Sequence, residues 1–288
     1  MKNQAHTFQI EYHTQNSYEN PVKNAHWQLM VLPENNLHQE RLNYTLTSNL
    51  EFKEYLTGNV FCGECINIQA SGPFDDFNLS FVTTVNVSEH HSFEFDLLTF
   101  EKEKRFLKDH EFTIEHSHFL KICHLTDIPD SQAELFPKWG LENLTAYLQT
   151  LMDALNNFLE FTGGETEVGT TASQALEMRK GVCQDFTHIF TGLLRKQKIA
   201  CRYVSGYLCQ GLNYKGDAQL HAWVECFIPG GGWIGLDPSN NLFTDHNYVK
   251  ITHGRNFEDC TPIRGVLETG GSNSTSHQVR IFQVQNEQ

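Results

Sequence analysis

The residues of this sequence that could do chemistry together are a cysteine, a histidine and an aspartate in three separate stretches. Cys183 follows Gly181-Val182, and after it apolar residues recur at the spacing of one helix face: Phe186, Ile189, Phe190, Leu193 and Leu194. We therefore expect Cys183 in the first turn of a helix, where unpaired N–H groups and the helix dipole favour a thiolate. A small buried cysteine is the alternative interpretation of Cys183 alone. The two stretches that follow favour a nucleophile.

The histidine and the aspartate lie in two strand-like segments joined by a glycine-rich turn. In the first segment, alternation puts His221, Trp223, Glu225 and Phe227 on one face, and the second segment ends at Asp237. If the segments form a hairpin centred near residue 229, His221 and Asp237 become cross-strand neighbours that can share a hydrogen bond. Each residue alone could be structural, but a cysteine, a base and an orienting carboxylate together indicate nucleophilic catalysis.

The elements that must position these residues fall into two parts. From residue 6 to about 120 the sequence alternates with period two between turn signals such as Glu19-Asn20-Pro21 and Ser71-Gly72-Pro73. This pattern predicts an N-terminal antiparallel β-sandwich over residues 1–125. Helical periodicity then begins, with one helix from about residue 141 to 159, another from 173 to 180, and the cysteine helix. We expect an α+β fold whose second domain spans residues 126–288.

Composition limits the kinds of partner. The 288 residues are 39% hydrophobic and carry a formal net charge of −14, which argues against nucleic-acid and anionic-membrane surfaces and favours a peptide or protein substrate. The N-terminal residues run into strand-like alternation with no apolar signal-peptide core, and no apolar run is long enough to span a membrane. We therefore expect a cytoplasmic protein with reduced thiols.

Other residues of reactive type have weaker patterns. Cys62 and Cys65 have the spacing of half a zinc site, but no second pair completes it. His116 and His118 would share one face of a strand without further ligands, so we expect no metal and no cofactor. On the cysteine helix, Asp185 suits the positive helix end, and His188 lies off the apolar face, where it can make a local hydrogen bond.

Four segments resemble the bacterial transglutaminase-like proteins, which are often described as cysteine proteases. The segments occur in the order typical of that group: residues 181–186 around Cys183, 202–207 with Tyr207, 221–225 with His221, and 232–238 with Asp237. The N-terminal strands resemble the β domain that precedes the catalytic core there, though less specifically. A fifth segment, residues 253–257, differs by having Asn256 where the family usually has aspartate, and Cys260 replaces a residue that is often aliphatic.

The resemblance implies a papain-like catalytic core with a Cys-His-Asp triad. Cys183 matches the nucleophile, His221 the general base and acid, and Asp237 the orienting carboxylate. We expect the backbone N–H of Cys183 to be one oxyanion donor, because a helix N-terminus supplies it. Candidates for the second donor or for the cleft wall are Gln184, Tyr207 and Trp223.

The implied reaction is acyl transfer through a thioester. Our first hypothesis is a cysteine hydrolase, a protease or amidase acting on peptide or isopeptide amides. A transglutaminase that passes the acyl group to an amine uses the same residues, and the sequence does not separate the two. A catalytically silent binding or scaffold protein on the same core is the alternative from another class.

Overall fold

The computed structural model describes residues 5–61, 63–89, 96–209, 215 and 220–284. It contains a six-stranded and a five-stranded antiparallel sheet and a two-stranded parallel pair. In chain order the strands are β1 (Ala5–Leu29), β2 (Gln39–Ser48), β3 (Lys53–Gly58), β4 (Glu64–Ser88), β5 (Glu160–Phe161), β6 (Lys180–Gly181), β7 (Cys201–Leu208), β8 (His221–Ile228), β9 (Gly232–Asp237), β10 (Leu242–Phe243), β11 (Tyr248–Gly254), β12 (Ile263–Leu267) and β13 (Asn273–Val284). The α-helices are α1 (Phe100–Leu107), α2 (His110–Glu115), α3 (Ser117–Leu120), α4 (Asp130–Ala133), α5 (Leu144–Phe158), α6 (Ala172–Met178) and α7 (Cys183–Lys196). The α-helices come after β4 and before β7 along the chain, between the first strands of the six-stranded sheet and those of the five-stranded sheet. Short 3-10 turns occupy His124–Thr126 and Phe257–Cys260.

The six-stranded sheet is built on two long strands, β1 and β4, of 25 residues each. Trp27 stacks on Phe77 with ring centroids 3.9 Å apart, although Phe77 pairs with Asn16 on β1. At ~3.3 Å per residue, a straight strand would put positions 16 and 27 roughly 36 Å apart. The sheet is therefore strongly bent at its register shifts near Ser17 and Val22, and its two halves share one core. In place of two separate sheets, the expected N-terminal β-sandwich is one antiparallel sheet folded onto itself.

Two of the predicted turns do not form, because the long strands of this sheet continue through both segments. The segments 19–21 and 71–73 lie inside β1 and β4, where the pairing shifts register instead of reversing the chain. Proline and glycine are tolerated at such bulges because the ladder is already interrupted there. Reading these signals as strand ends was wrong.

The last strands of the chain return to the first sheet. β12 pairs with residues 25–29 of β1, and β13 pairs with residues 7–18. The sheet thus contains residues 263–267 and 273–284, which sequence analysis assigned to the second domain. The division at residues 125 and 126 stays a prediction, but the sheet draws strands from both sides of it.

The segment before the predicted boundary is helical where strands were expected. α1, α2 and α3 occupy most of residues 100–120, so the prediction of strands up to about residue 120 is wrong for that stretch. Asp109 caps α2 by accepting hydrogen bonds from the N–H groups of Glu111 and Phe112, which favours a helix start there. The alternation at residues 93–95 lies outside the described residues.

The five-stranded sheet has the order β10-β9-β8-β7-β11 and is covered on one face by α7. The buried face of α7 shares a core with α5, α6 and inward residues of β8 and β9. At the far end of α7, the fully buried Arg195 donates hydrogen bonds to the carbonyls of Phe119, Lys121 and Cys201. The position of α7 is therefore fixed along its whole length.

The opposite face of this sheet packs on the first sheet. Tyr207, Val249 and Ile251 belong to the same core as the inner residues of β1 and β4, and the Tyr207 hydroxyl donates to the Val31 carbonyl at 2.7 Å. The two sheets are thus joined by one apolar interface. Among the described residues, the structure has no helix of the length and hydrophobicity that crossing a bilayer requires.

The hairpin between β8 and β9 forms with a small change of register. Val224 lies opposite Leu236, so the turn is centred at (224 + 236)/2 = 230 and not near 229. On this register Asp237 faces position 223, two residues from His221. A shift of two positions keeps side chains on the same face of a sheet, so His221 and Asp237 still share a face.

Candidate active site

Cys183 lies at the first position of α7, at the end of a tightly fixed connection. β6 pairs in parallel with β5, which ties residues 180–181 to the end of α5. Before β6, Arg179 has a φ of 54° and ends α6 in the left-handed conformation. The chain thus turns sharply just ahead of the thiol.

Asp185 holds the turn that presents Cys183. Its Oδ2 accepts hydrogen bonds from the Val182 N–H at 2.8 Å and from the Thr166 hydroxyl at 2.7 Å. A Cβ at Gly181 would lie 2.6 Å from the Asp185 Cβ, so only glycine fits beside this carboxylate. Burial raises the pKa of Asp185, although these hydrogen bonds oppose the shift. Its contacts are those of a structural cap.

His221 and Asp237 form a fully buried hydrogen-bonded pair. The distance from His221 Nε2 to Asp237 Oδ2 is 2.6 Å, and neither side chain is exposed. Burial alone would lower the pKa of His221, but the Asp237 carboxylate and the Cys183 thiol together raise it. Burial would raise the pKa of Asp237, yet the His221 imidazolium and neighbouring donors hold it well below its usual value. The pair therefore favours a charged imidazolium.

The free nitrogen of His221 is the one available to the cysteine. Nε2 is engaged by Asp237, whereas the buried Nδ1 has no hydrogen-bond partner among the residues that the structure describes. The Cys183 thiol lies near enough to contribute to the raised pKa of His221. Cys183 itself is half-buried and stays accessible. The structure thus brings Cys183, His221 and Asp237 together.

Three further residues hold Asp237, and sequence reasoning missed them. Asp237 Oδ1 accepts from the Ser239 hydroxyl at 2.6 Å and from the N–H groups of Ser239 and Asn240. Oδ2 also accepts from the Asn240 side chain at 2.7 Å and the Tyr248 hydroxyl at 2.9 Å. The run Asp237-Pro238-Ser239-Asn240 is a recognisable Asx-turn pattern, so part of this network had a sequence signal. Tyr248 had none, because it lies at the start of β11, which is separated from β9 by β8 and β7 in the sheet.

The surroundings of the thiol come from β7, β8 and the segment after β11. Tyr203, Ala222 and Cys260 form a small buried cluster against which Cys183 and Phe257 pack. Phe257 is held there because its N–H donates to His188 Nε2 at 3.2 Å. His188 thus makes a hydrogen bond to a distant segment of the chain and not the local one expected, and burial lowers the pKa of that histidine to about 3. Asn256 caps the 3-10 turn that carries Phe257.

The remaining predicted site residues have other contacts. Gln184 donates its side-chain amide to the Val168 carbonyl at 3.0 Å, outside the buried site. The hydroxyl of Tyr207 is bound to Val31 within the interface between the sheets, so it is not a free donor. Trp223 is buried against Val204, Leu208 and Tyr248, with its ring centroid 6.4 Å from that of His221. The Trp223 ring thus lies beside the imidazole in the buried part of the site.

The weaker metal candidates do not form ligand sets in the described chain. Cys62 lies outside the described residues, and Cys65 is fully buried in a setting that raises its pKa. His116 ends α2 and His118 lies in α3, so they do not share a strand face as predicted. His116 Nδ1 is instead hydrogen-bonded to the Phe112 carbonyl.

Comparison with known protein families finds a match in the part of the chain that carries these residues. The family model of the transglutaminase-like superfamily matches residues 138–238, a range that includes Cys183, His221 and Asp237. The similarity to this family covers residues 138–238, and the chain as a whole has a papain-like α+β fold behind an N-terminal antiparallel sheet.

Individual relatives extend the comparison. A proposed cysteine protease from Cytophaga hutchinsonii has the same fold, with a TM-score of 0.76 and 23% identity over 99% of this chain and 92% of that one. An uncharacterized protein of Mycobacterium tuberculosis is 32% identical over 140 residues, which are 46% of this chain and 45% of that protein. A protein-glutamine gamma-glutamyltransferase of Pseudomonas aeruginosa is 35% identical over 69 residues, 22% of this chain and 10% of that protein. The match thus spans about half of the mycobacterial relative.

Proposed function

We propose that this chain is a cysteine hydrolase that cleaves peptide or isopeptide amide bonds with Cys183, His221 and Asp237. The observation that carries this proposal is the buried 2.6 Å hydrogen bond between His221 and Asp237. It leaves the second ring nitrogen of His221 for the thiol at the start of α7. Acyl transfer requires a nucleophile next to a base, with a carboxylate that orients the base.

The reaction proceeds through a thioester. The Cys183 thiolate attacks the amide carbonyl, a carbon–sulfur bond forms, and the carbon–nitrogen bond breaks as His221 gives its Nδ1 proton to the leaving amine. His221 then takes a proton from water, which attacks the thioester and releases the acid and the free thiol. Asp237 stays ionised throughout and keeps the imidazolium oriented.

The start of α7 stabilises the oxyanion that forms at each addition. The N–H of Cys183, at the first position of α7, has no carbonyl one turn earlier within the helix to donate to, and it is the one beside the reacting sulfur. Because Asp185 and Gly181 fix the turn, this donor is in place before the substrate binds. A preorganised donor of this kind stabilises charge without reorganisation.

The proposal extends to partners and location. A peptide or protein substrate in the cytoplasm, with no nucleic-acid or membrane partner, suits a net charge of −14. The chemistry itself requires no cofactor. A first part at residues 1–125 and a catalytic part at 126–288 remain the proposed division.

Amine transfer is the second candidate function. The 69-residue similarity to the gamma-glutamyltransferase of Pseudomonas aeruginosa supports this second candidate. In this reaction an amine replaces water as the nucleophile, while Cys183, His221 and Asp237 keep their roles. The two functions therefore differ in the acceptor and not in the first half-reaction.

The first experiment measures how fast iodoacetamide alkylates each cysteine as a function of pH. Cys183 should react faster than Cys123 and Cys209, which are also half-buried and serve as matched controls. The advantage should persist at about pH 6 and disappear in His221→Ala, because the imidazolium stabilises the thiolate. Equal rates for the three thiols, unaffected by the His221 substitution, would contradict the proposal and favour a silent binding protein.

The second experiment identifies the acceptor. The protein is incubated with a glutamine-containing peptide, with and without a primary amine, and the products are followed by mass spectrometry. Acid products alone indicate a hydrolase, whereas a mass increase equal to the amine indicates transfer. Products that are the same for wild type and Cys183→Ala would exclude both reactions at this site.

A further inference from the structure

Two histidines and a glutamate from three separate segments meet outside the candidate active site. His6 lies at the start of β1, Glu89 follows β4, and His246 lies in the loop between β10 and β11. The distance from His6 Nε2 to Glu89 Oε1 is 3.2 Å, and the rings of His6 and His246 stack with centroids 3.9 Å apart. One ligand-type atom from each residue lies within 4.8 Å of the other two.

We infer that His6, Glu89 and His246 bind a divalent transition-metal ion of the zinc type. Imidazole nitrogen and carboxylate oxygen are ligands that zinc accepts, and three protein ligands leave the fourth tetrahedral position to water. Within the described ranges, this is the one cluster of three such groups with ligand atoms so close. Its members come from three distant segments, so the fold has assembled them.

Binding requires one ring to turn. The His6 and His246 rings are only 15° from parallel, and parallel rings cannot both direct a lone pair at one ion. His246 belongs to a loop between two strands and is half-buried, so rotation about its side-chain bonds meets few constraints. His6 is mostly buried and Glu89 is about half exposed, which leaves one side of the site open to water.

Gln283 supplies the partner that a metal-bound histidine needs. Its side-chain amide lies 2.9 Å from His6 Nδ1, the ring nitrogen that does not face Glu89. If the amide presents its oxygen, it accepts the Nδ1 proton and leaves the Nε2 lone pair for the ion. Such outer partners fix the tautomer and orientation of metal-binding histidines.

The ion would join the first sheet to the loop that supports Asp237. His246 is two residues before Tyr248, whose hydroxyl donates to Asp237 Oδ2. The same loop is attached to β9 by the hydrogen bond from the Thr244 N–H to the Gly235 carbonyl at 3.0 Å. Occupancy would thus fix the loop between the sheet and the carboxylate. The site is a structural clip and takes no part in the acyl transfer.

The test is a zinc titration by isothermal calorimetry in a Cys183→Ala background, so that the reactive thiol does not compete. We expect one zinc per chain with a dissociation constant in the micromolar range or below. His246→Ala should weaken binding more than about 100-fold, and Gln283→Ala by about 10- to 100-fold. His13→Ala, at an exposed histidine on the same strand as His6, is the matched control and should bind as tightly as its parent.

Cobalt substitution and melting temperature provide independent readouts. Cobalt at this site should give visible absorption of a tetrahedral ion without a sulfur charge-transfer band, and zinc should raise the melting temperature of the parent but not of His246→Ala. Because His246 is in a loop, its variant should fold, which circular dichroism verifies. No one-to-one binding at micromolar zinc, equal binding by His246→Ala, or a sulfur charge-transfer band would each overturn the inference.

Discussion

Asp237 is held by several hydrogen bonds and orients His221 through one more. The carboxylate accepts hydrogen bonds from Ser239, Asn240 and Tyr248 in addition to His221, and both of its oxygens are used. A carboxylate with this many donors stays ionised in a buried site. Nε2 of the imidazole therefore contacts a fixed anion, and Nδ1 stays free of a hydrogen-bond partner among the described residues.

Asp237→Asn should reduce the reactivity of Cys183 severely. The amide is neutral, so it no longer raises the pKa of His221, and it can favour the wrong tautomer of the ring. We expect the amidase rate, and the alkylation rate of Cys183 at about pH 6, to fall by about 100-fold or more. Tyr248→Phe keeps the charge and removes one donor, so it should cost about tenfold or less. Similar losses in both variants would contradict the role of the charge.

His188 should make the folded protein sensitive to acid. Its pKa is lowered to about 3 by burial and by the nearby Arg195 and His124. Below about pH 6.5 the unfolded chain binds a proton at this residue that the folded protein does not, so stability falls as pH decreases.

The measurement is the free energy of unfolding in urea at several pH values for wild type and His188→Gln. Glutamine can still accept the hydrogen bond from the Phe257 N–H but does not titrate. Between about pH 6 and pH 4 the wild-type slope should exceed that of the variant by up to about 1.4 kcal/mol per pH unit. Above about pH 7.5 the slopes should coincide, and a difference there would count against this explanation.

At the scale of elements, α7 is positioned by a close approach of backbone to backbone. A Cβ added at Gly192 would lie 2.2 Å from the Thr126 carbonyl oxygen, which belongs to a 3-10 turn and cannot rotate away. Glycine is usually unfavourable inside a helix by about 1 kcal/mol relative to alanine. Here it allows the turn to lie directly on the helix that carries Cys183.

Gly192→Ala should therefore destabilise the protein despite the better helix propensity of alanine. We expect a loss of about 2 kcal/mol or more in the free energy of unfolding, measured by urea denaturation. Gly169→Ala is the control, because a Cβ there meets nothing within 4 Å, and its effect should stay within about 0.5 kcal/mol. A stabilised Gly192→Ala variant would show that the turn moves freely.

Elements with strong local periodicity could be predicted from the sequence, and those fixed by distant partners could not. α5 and α7 follow the apolar spacing, and Cys183, His221 and Asp237 occupy recognisable motifs. The helices α1 to α3 were missed because short helices have too few turns to establish a period. Tyr248 was missed because its role depends on how β11 lies in the sheet.

At the scale of the whole molecule, the two sheets depend on each other. The core between them contains Tyr207, Val249 and Ile251 from the five-stranded sheet together with side chains of β1 and β4. Full burial of one large apolar side chain stabilises a protein by about 1.5–3 kcal/mol, so exposing this interface would cost an amount comparable with the ~5–15 kcal/mol net stability of a typical domain. No local pattern in the sequence indicated this interface.

A fragment of residues 126–288 should consequently not fold by itself. It would expose the apolar face of the five-stranded sheet and would leave β12 and β13 without β1. We expect no cooperative thermal transition by circular dichroism and no preferential alkylation of Cys183. Coexpression with residues 1–125 is the control and should restore both properties. A cooperative transition of the fragment alone would establish it as an autonomous domain.

Trp223, buried behind His221, gives the molecule an optical signal of its own. The chain has four tryptophans, and the ring of this one lies 6.4 Å from the imidazole and only 26° from parallel to it. A protonated imidazole quenches indole emission at such distances, whereas a neutral one does so weakly. Fluorescence of a variant that keeps Trp223 as its one tryptophan would then follow the proton on His221 in real time, during the formation and breakdown of an acyl-enzyme, without any added label.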